Sequence, residues 1–569
     1  MMEAKQTGER TRRLTVAVVL AAALYAAAVP LKLDSDLFMV LLRPLWLARS
    51  NFAVNDWYCS LPGYDGAYTY GVSLLAIACP SKEALLVVLY VLYAGLHFAM
   101  ALVFAGVFRK GRGGFAAWLV MLVLFRALCD RPYYSYHFMP GYPTPASVAA
   151  VFMLMALACL LQGRRGWGVI LLGAASVFHL NTFILSCIVL LGLVPYWLIR
   201  REVDRRLLGA GAVFVILAVP SVWIILTSMQ APPEVRQAAD RIITNVRAPH
   251  HYKTSEFPLL YTHAAWAPLV LCVLTVAYSL LRQGRRALGQ GHYLLGVLLV
   301  VVLLNALLTL GVNVPAVARL NLVRLLPFAY FVGLCILASD LTRHLREWRW
   351  DHLAVVALVA WLIRRGLPKE MLWTGGLAIL LAAVLLAVRE APGRWLREAV
   401  VALVIGMKVF SPVANVQGIV ADAAGGTLVD SRAPGVHRPV YDWLRGHTPV
   451  GAIVLADPAL DDVRFFSERA VVANFKCAPY SPADVVEWYR RIGELTRKDV
   501  PDLWRSSDYA AKGLEELGGI AGRYAASYIL VPSGSRGDEA DRPAAYRDGE
   551  FVVFRVADLG PPPASAPGG

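Results

Sequence analysis

The sequence predicts a mainly α, polytopic membrane protein of about 13 transmembrane helices with a C-terminal extracytoplasmic α/β domain. Three observations carry this. Apolar runs of about 18 or more residues, long enough to cross a bilayer, recur over most of the chain. The 569 residues are 58% hydrophobic and the mean hydropathy is +0.55, above what a water-soluble domain needs. The charge is also uneven. From Gly418 onward 17 basic residues stand against 21 acidic ones, while the rest of the chain holds 38 basic and 19 acidic. That basic excess sits in short loops between apolar runs, which the positive-inside rule places in the cytoplasm. It reports topology, and nucleic acid is not expected as a partner.

Taken in order, residues 1–13 form a basic cytoplasmic N-terminus with Lys5, Arg10, Arg12 and Arg13. The apolar run 14–29 resembles a signal peptide, but its cleavage site is weak and many helices follow, so a retained first span is expected. Further spans are expected at 85–108, 115–129, 146–161, 167–179, 183–199, 207–226, 266–281, 293–310, 321–341, 353–363, 371–388 and 400–410. Nearly every inner loop then carries at least two basic residues; Arg364, Arg365 and Lys369 are the ones left outside. The membrane domain covers 14–414 and includes outer loop 1 at 31–81 and outer loop 4 at 227–261.

From 415 to 557 the composition suits a soluble α/β domain. Short apolar stretches at 452–456, 470–475, 525–531 and 550–556 read as strands. A helix ends near 440–445, and another opens at Ser481, with Pro482 at its first position. Residues 558–569, rich in proline and glycine, read as a disordered tail. The domain lacks GxGxxG and P-loop motifs, so a nucleotide site has no support. The eight cysteines form no CxxC or zinc-spaced pattern. Cys59 and Cys79 share outer loop 1, where an oxidising compartment could join them.

Candidate functional residues lie in the outer loops. Loop 1 holds Asp34 and Asp36, then an amphipathic run at 37–47, then Asn55-Asp56-Trp57. Acidic groups at the end of a membrane helix are costly unless solvated or paired. Asp34, Asp36 or Asp56 can serve as a general base. Equally, Asp34 and Asp36 can be solvated helix caps, and Asp56 an anchor for an aromatic belt. Loop 4 carries Arg247, His250, His251 and Tyr252; Arg319 and Arg324 flank the outer end of a later helix. These suit an anion such as phosphate, although the arginines can also snorkel to headgroups. His179 lies in a tight outer turn, either as a ligand-binding group or bonded within the bundle. The run 37–47, with Phe38, Leu41, Leu42 and Leu45 at near-helical spacing, suits the membrane interface.

A cytoplasmic N-terminus, a first outer loop with an acid and an interfacial helix, many spans and an outer C-terminal domain resemble the GT-C superfamily of membrane glycosyltransferases. Arg247-Ala-Pro-His-His-Tyr252 also resembles an uncharacterised bacterial membrane family with a Pro-His-His-Tyr outer loop and an Asn-Asp-Trp-like element in loop 1. The resemblance implies a bacterial inner-membrane transferase. It would take a sugar from a polyprenyl-phosphate donor and pass it to a glycan, lipid or protein acceptor on the outer face. Asp34 or Asp36 would be the base. Some superfamily members use a divalent cation (Mg2+ or Mn2+) and others none. The first loop has Asp34-Ser-Asp36 in place of the superfamily's usual adjacent acidic pair, and the tail lacks a Trp-Trp-Asp triplet, which argues against an oligosaccharyltransferase proper. The competing class is a transporter, flippase or scaffold with a partner-binding outer domain. A transporter should show internal repeats, and none is evident.

Overall fold

The structure, a computed structural model, describes residues 2–27, 35–61, 66–108, 142–228, 230–247, 289–308, 320–343, 437–496, 508–535 and 542–560, with a few isolated positions between them. In chain order the helices are α1 (Met2–Ala27), α2 (Ser35–Ala48), α3 (Trp57–Ser60), α4 (Ala67–Ala78), α5 (Lys82–Phe108), α6 (Pro145–Leu161), α7 (Arg165–Phe178), α8 (Leu180–Ile199) and α9 (Arg205–Ser228). They continue with α10 (Pro233–Ile242), α11 (Gln290–Leu307), α12 (Leu326–Arg343), α13 (Arg438–His447), α14 (Val463–Ser467), α15 (Pro482–Leu495) and α16 (Leu514–Arg523). A small hairpin pairs β1 (Pro132–Tyr133) with β2 (Tyr136–His137). The other strands are β3 (Ile453–Leu455), β4 (Ala470–Val471), β5 (Tyr528–Pro532), β6 (Tyr546–Arg547) and β7 (Phe551–Arg555).

Among the described residues, three helices are long and apolar enough to cross a membrane: α5, α8, and α9 through Thr227. Helices α6 and α7 and parts of α1, α11 and α12 are apolar but shorter. The predicted spans 115–129, 266–281, 353–363, 371–388 and 400–410 lie wholly or largely outside the described residues, as do 561–569 of the tail. The last described turn, Val556–Leu559, is a short 3-10 helix.

The chain divides into two compact units. The first comprises Met1–Lys32, Val87–Ser221 and His250–Leu428. Its helices approach closely where the sequence supplies glycine. A Cβ on Gly168 would lie 2.6 Å from the Leu160 side chain, and one on Gly173 would lie 3.1 Å from the Phe214 Cα. Small residues at such crossings are the usual means of packing helices in lipid. Gln290 ties one end together. Its carbonyl oxygen accepts from Trp197 Nε1 at 3.3 Å, and its amide donates to the Leu160 carbonyl at 3.2 Å.

The second unit is not the tail alone. It joins Leu33–Leu86, Val222–Pro249 and Val429–Gly569. Its sheet runs β4-β3-β5-β7-β6. The first three strands are parallel, and β5, β7 and β6 pair antiparallel. Strands β5 and β7 are buried on consecutive residues, the mark of strands covered on both faces. The main core gathers Trp488, Ile492 and Leu495 of α15, Leu517 and Ile520 of α16, Ile529, Val531 and Phe554 of the sheet, and Ala239 and Ile242 of α10. Buried Tyr509 donates to the Leu530 carbonyl at 3.0 Å, so its hydroxyl is satisfied. The helix expected at Ser481 begins there, but the serine hydroxyl makes no capping bond and Pro482 starts the first turn.

Helix α2 corrects an expectation. The run 37–47 is helical, but its apolar side does not face lipid. Leu37, Phe38, Leu41, Leu42 and Leu45 are all buried. Phe38 stacks on Phe465 with centroids 4.7 Å apart and meets Phe466 edge-on at 5.0 Å. Burying such a side chain contributes about 1.5–3 kcal/mol, and the tail offers a fixed apolar surface within the same unit. Cys59 and Cys79 are both free.

The tail holds loop 1 through polar contacts as well. The Ala53 amide donates to the Glu468 carbonyl at 3.0 Å. The Asn55 side chain donates to the Gly451 carbonyl at 2.8 Å. Lys82 pairs with the Glu468 carboxylate at 2.8 Å, and Arg491 lies over the Trp57 ring at 4.0 Å. At the centre Arg464 Nε donates to Asp56 Oδ2 at 2.7 Å, with both side chains out of solvent. Removing one member of a buried pair strands the other's charge, at a cost of about 3–5 kcal/mol. Arg464→Met should lower the opening free energy of α14 and β4 by that amount in hydrogen exchange on the full-length protein. A change below about 1 kcal/mol would show that the pair does not hold loop 1 to the tail.

Candidate functional site

Asp36 occupies the first turn of α2. Its carboxylate is about half exposed, and Oδ1 accepts from Lys476 Nζ at 2.8 Å. Lys476 follows β4 in the tail, and its backbone is held from two directions. Its amide donates to Asp461 Oδ1 at 3.4 Å, and its carbonyl accepts from Arg247 Nη2 at 3.1 Å. Arg247 ends the π-turn Ile243–Arg247 that continues α10 in loop 4. One lysine therefore gathers an acid from loop 1, a cation from loop 4 and an acid from the tail. Burial pushes the Asp461 carboxyl up to about 6, against the opposing pull of Lys476 and Arg247.

Asp56 is placed differently from Asp36. It caps α3, accepting from the Cys59 amide at 2.9 Å through Oδ1. Its Oδ2 takes Arg464 Nε and the Val471 amide at 2.9 Å. Arg464 spends its other nitrogens on Asn474 Oδ1 at 2.7 Å and the Val471 carbonyl at 2.8 Å. Asp56 has no exposed surface, so its carboxylate meets protein rather than a substrate. The Asn55-Asp56-Trp57 element, all three of whose side chains contact the tail, works as a clasp.

In the helical unit His179 joins α7 to α8 in extended backbone, and its Nδ1 lies 3.2 Å from Thr182 Oγ1. Arg324 sits on the 3-10 turn Leu322–Leu325 and is within electrostatic reach of His179. Asn181 donates to the Leu320 carbonyl at 2.7 Å, which binds the two turns together. The structure thus gives Asp36 and Arg247 a common partner in Lys476, and sets His179 within electrostatic reach of Arg324. Asp34, His250, His251, Tyr252 and Arg319 lie outside the described residues.

Three solved structures align with this chain. ArnT from Cupriavidus metallidurans bound to undecaprenyl phosphate aligns over 96% of this chain and 98% of its own, at 15% identity and a TM-score of 0.50. The apo state of the same ArnT aligns over 98% and 100%, at 16% identity and 0.47. The Archaeoglobus fulgidus oligosaccharyltransferase tethered with an acceptor peptide aligns over 91% of this chain and 69% of its own, at 14% identity and 0.45. The fold resembles that of the undecaprenyl-phosphate-bound ArnT. At this identity the likeness concerns the fold. Residues 437–495 also match a domain of unknown function, DUF6798. That segment runs from α13 through α15 and contains Arg464, Asn474 and Lys476. No curated protein sequence matches.

Superfamily members that use a divalent ion raise the question of whether these residues fit one. Among the described residues no group of three or more His, Cys, Asp or Glu side chains gathers to hold a metal, and the cation facing Asp36 is the Lys476 ammonium.

Lys476 and Asp461 carried no sequence signal. Each is a lone polar residue near a short strand; Lys476 gains its meaning from Asp36, 440 residues earlier, and Asp461 from the Lys476 amide it holds. Asp461 also gives the unit a pH dependence. A carboxyl raised from its ordinary value near 3.9 to about 6 stabilises the fold while protonated. That contribution is complete below about pH 4 and is lost as pH rises through 6, amounting to roughly 3 kcal/mol. Asp461→Asn should flatten this fall between pH 4 and 7 in thermal unfolding of the purified protein; an unchanged slope would contradict the assignment.

Proposed function

We propose that the protein is a membrane glycosyltransferase that takes a sugar from a polyprenyl-phosphate donor and passes it to a cell-envelope glycan, lipid or protein. The observation that carries this is Asp36, a half-exposed first-loop carboxylate paired with Lys476, whose backbone carbonyl is held by Arg247 of loop 4, in a fold that resembles that of ArnT. The site lies on the outer face of a bacterial inner membrane in this reading, with the N-terminus cytoplasmic.

Asp36 accepts the proton of the acceptor hydroxyl. The hydroxyl oxygen forms its bond to the anomeric carbon on the face opposite the phosphate. The bond from that carbon to the phosphate oxygen breaks, and the polyprenyl phosphate leaves with the electron pair. Arg247 offsets the charge that grows on the leaving phosphate; a fixed, forked guanidinium suits phosphate oxygens. His250, His251 and Tyr252 follow it in sequence and are assigned to the same phosphate. In the helical unit Arg324 and His179, with Arg319 nearby in sequence, are proposed as a second anion-binding group. Asp34 is retained as the alternative base. The undecaprenyl phosphate bound to ArnT supports a polyprenyl carrier.

The test is transfer from a panel of radiolabelled polyprenyl-phosphate sugars by the purified protein, comparing wild type with Asp34→Asn, Asp36→Asn and Arg247→Gln. Asp36→Asn should lower kcat about 100- to 10,000-fold. Arg247→Gln should lower kcat/KM roughly 10- to 150-fold, the worth of a charged hydrogen bond. Unchanged turnover in Asp36→Asn with loss in Asp34→Asn would move the base to Asp34. Absence of transfer from every donor would favour a transporter or scaffold.

A further inference from the structure

Helix α4 differs from α10, α13 and α16 of the same unit in what it turns outward. Its exposed positions are Ala67, Tyr70, Gly71, Leu74, Ile77 and Ala78. They fall three and four residues apart, so they form one stripe along the helix, and none of them is charged. By contrast α10 turns out Glu234, Gln237 and Arg241, α13 turns out Asp442 and Arg445, and α16 turns out Glu515, Glu516 and Arg523. Leu74 and Ile77 are 69% and 66% exposed, and a Cβ added at Gly71 would meet nothing within 4 Å. The opposite stripe, with Tyr68, Val72 and Ala76, is buried, and α4 packs on α2. The helix is therefore apolar on both sides, and α2 covers one of them.

What meets the other side follows from the chain. Cys79, Pro80 and Ser81 are the residues between α4 and α5, and α5 is long and apolar enough to cross a membrane. Four residue steps reach at most about 14 Å. Lys82 and Glu83 open α5 and its apolar run follows directly, so the helix enters lipid beside its first turn. Helix α4 is thus tethered at the membrane surface. It has 12 residues, about 18 Å of helix, too short for a hydrocarbon core of about 30 Å. A second copy of the chain fits the stripe poorly. A face about 18 Å long and one helix wide offers roughly 200 Å2, about a quarter of what each partner buries in a stable interface.

We propose that α4 is a membrane-surface helix whose outer stripe, centred on Tyr70, Leu74 and Ile77, is seated among the acyl chains of the bilayer. Its length and uncharged outer side suit that boundary, and the Tyr70 hydroxyl suits the headgroup level. Lipid then lies on one side of α4 and α2 on the other. The amphipathic run 37–47, spent on the tail, stands one layer further from the bilayer. This seating is independent of which residue acts as the base.

The test uses the full-length protein, native cysteines intact, in nanodiscs of phosphatidylethanolamine and phosphatidylglycerol. Leu74, Ile77, Leu191 and Val450 are replaced one at a time by the photo-cross-linker p-benzoylphenylalanine, and the products of irradiation are identified by mass. Leu191 on α8 and Val450 in the tail, 73% and 44% exposed, serve as the membrane and water references. Leu74 and Ile77 should give phospholipid adducts in a yield like that of Leu191, with loss of the adduct at Val450. All four side chains are exposed, so each variant should keep the thermal midpoint of the wild type. A cross-linked dimer in place of the lipid adduct at Leu74 and Ile77 would overturn the proposal in favour of a second copy. Lipid yields there no higher than at Val450 would overturn it in favour of water.

Discussion

The buried pair of Asp56 and Arg464 is the constraint from which the second unit is built. Two charges without exposed surface are costly to desolvate, and such a pair persists only when its remaining hydrogen-bonding groups are met. Here they are met from both sides. Asp56 also accepts two backbone amides, and Arg464 reaches Asn474 and the Val471 carbonyl. Asn474 in turn receives Trp488 Nε1 at its carbonyl, which links the pair to the core helix α15. Two residues beyond Asn474 comes Lys476. The position of the lysine that meets Asp36 therefore follows from the same network that holds loop 1 against the tail.

Much of the fold was legible because helices announce themselves over many residues. The apolar runs at 146–161, 167–179, 183–199 and 207–226 correspond closely to α6, α7, α8 and α9. The strands of the tail were placed to within a few residues by their Val and Ile content. The helices α4, α14 and α16 were not foreseen. Among them α14 has five residues, too few to show a period, and α4 lies within 31–81, which the sequence presents as an outer loop. The fate of α2 was misread for a different reason. An amphipathic helix looks the same whether its apolar side meets lipid or protein, and only the positions of Phe465 and Phe466 decide between them.

Site residues divide along the same line. Asp36 and Arg247 stood out as charged groups beside apolar segments, and the structure brings them to a common partner. Asp56 stood out equally, yet its carboxylate is enclosed, because Arg464 lies 408 residues further along the chain. No local pattern signals a partner at that distance. Lys476, whose partner Asp36 lies 440 residues earlier, was invisible for the same reason. The general physical lesson is that a polar residue's type suggests its chemistry, while its burial and partners decide whether that chemistry is spent on structure or left open to a substrate.

The central claim is that loop 1 and the tail form one body around Asp56 and Arg464. The most direct measurement is disulfide formation between Asn55→Cys and Gly451→Cys in full-length protein whose native cysteines are replaced, in its own membrane. The Asn55 side chain already contacts the Gly451 carbonyl at 2.8 Å, and a Cβ added at Gly451 would lie 2.9 Å from Asn55 Nδ2. The account predicts rapid cross-linking under mild oxidation, detected as a linked peptide pair, and its loss on adding Arg464→Met. Two cysteines that each react freely with a thiol reagent but do not join to each other would contradict it.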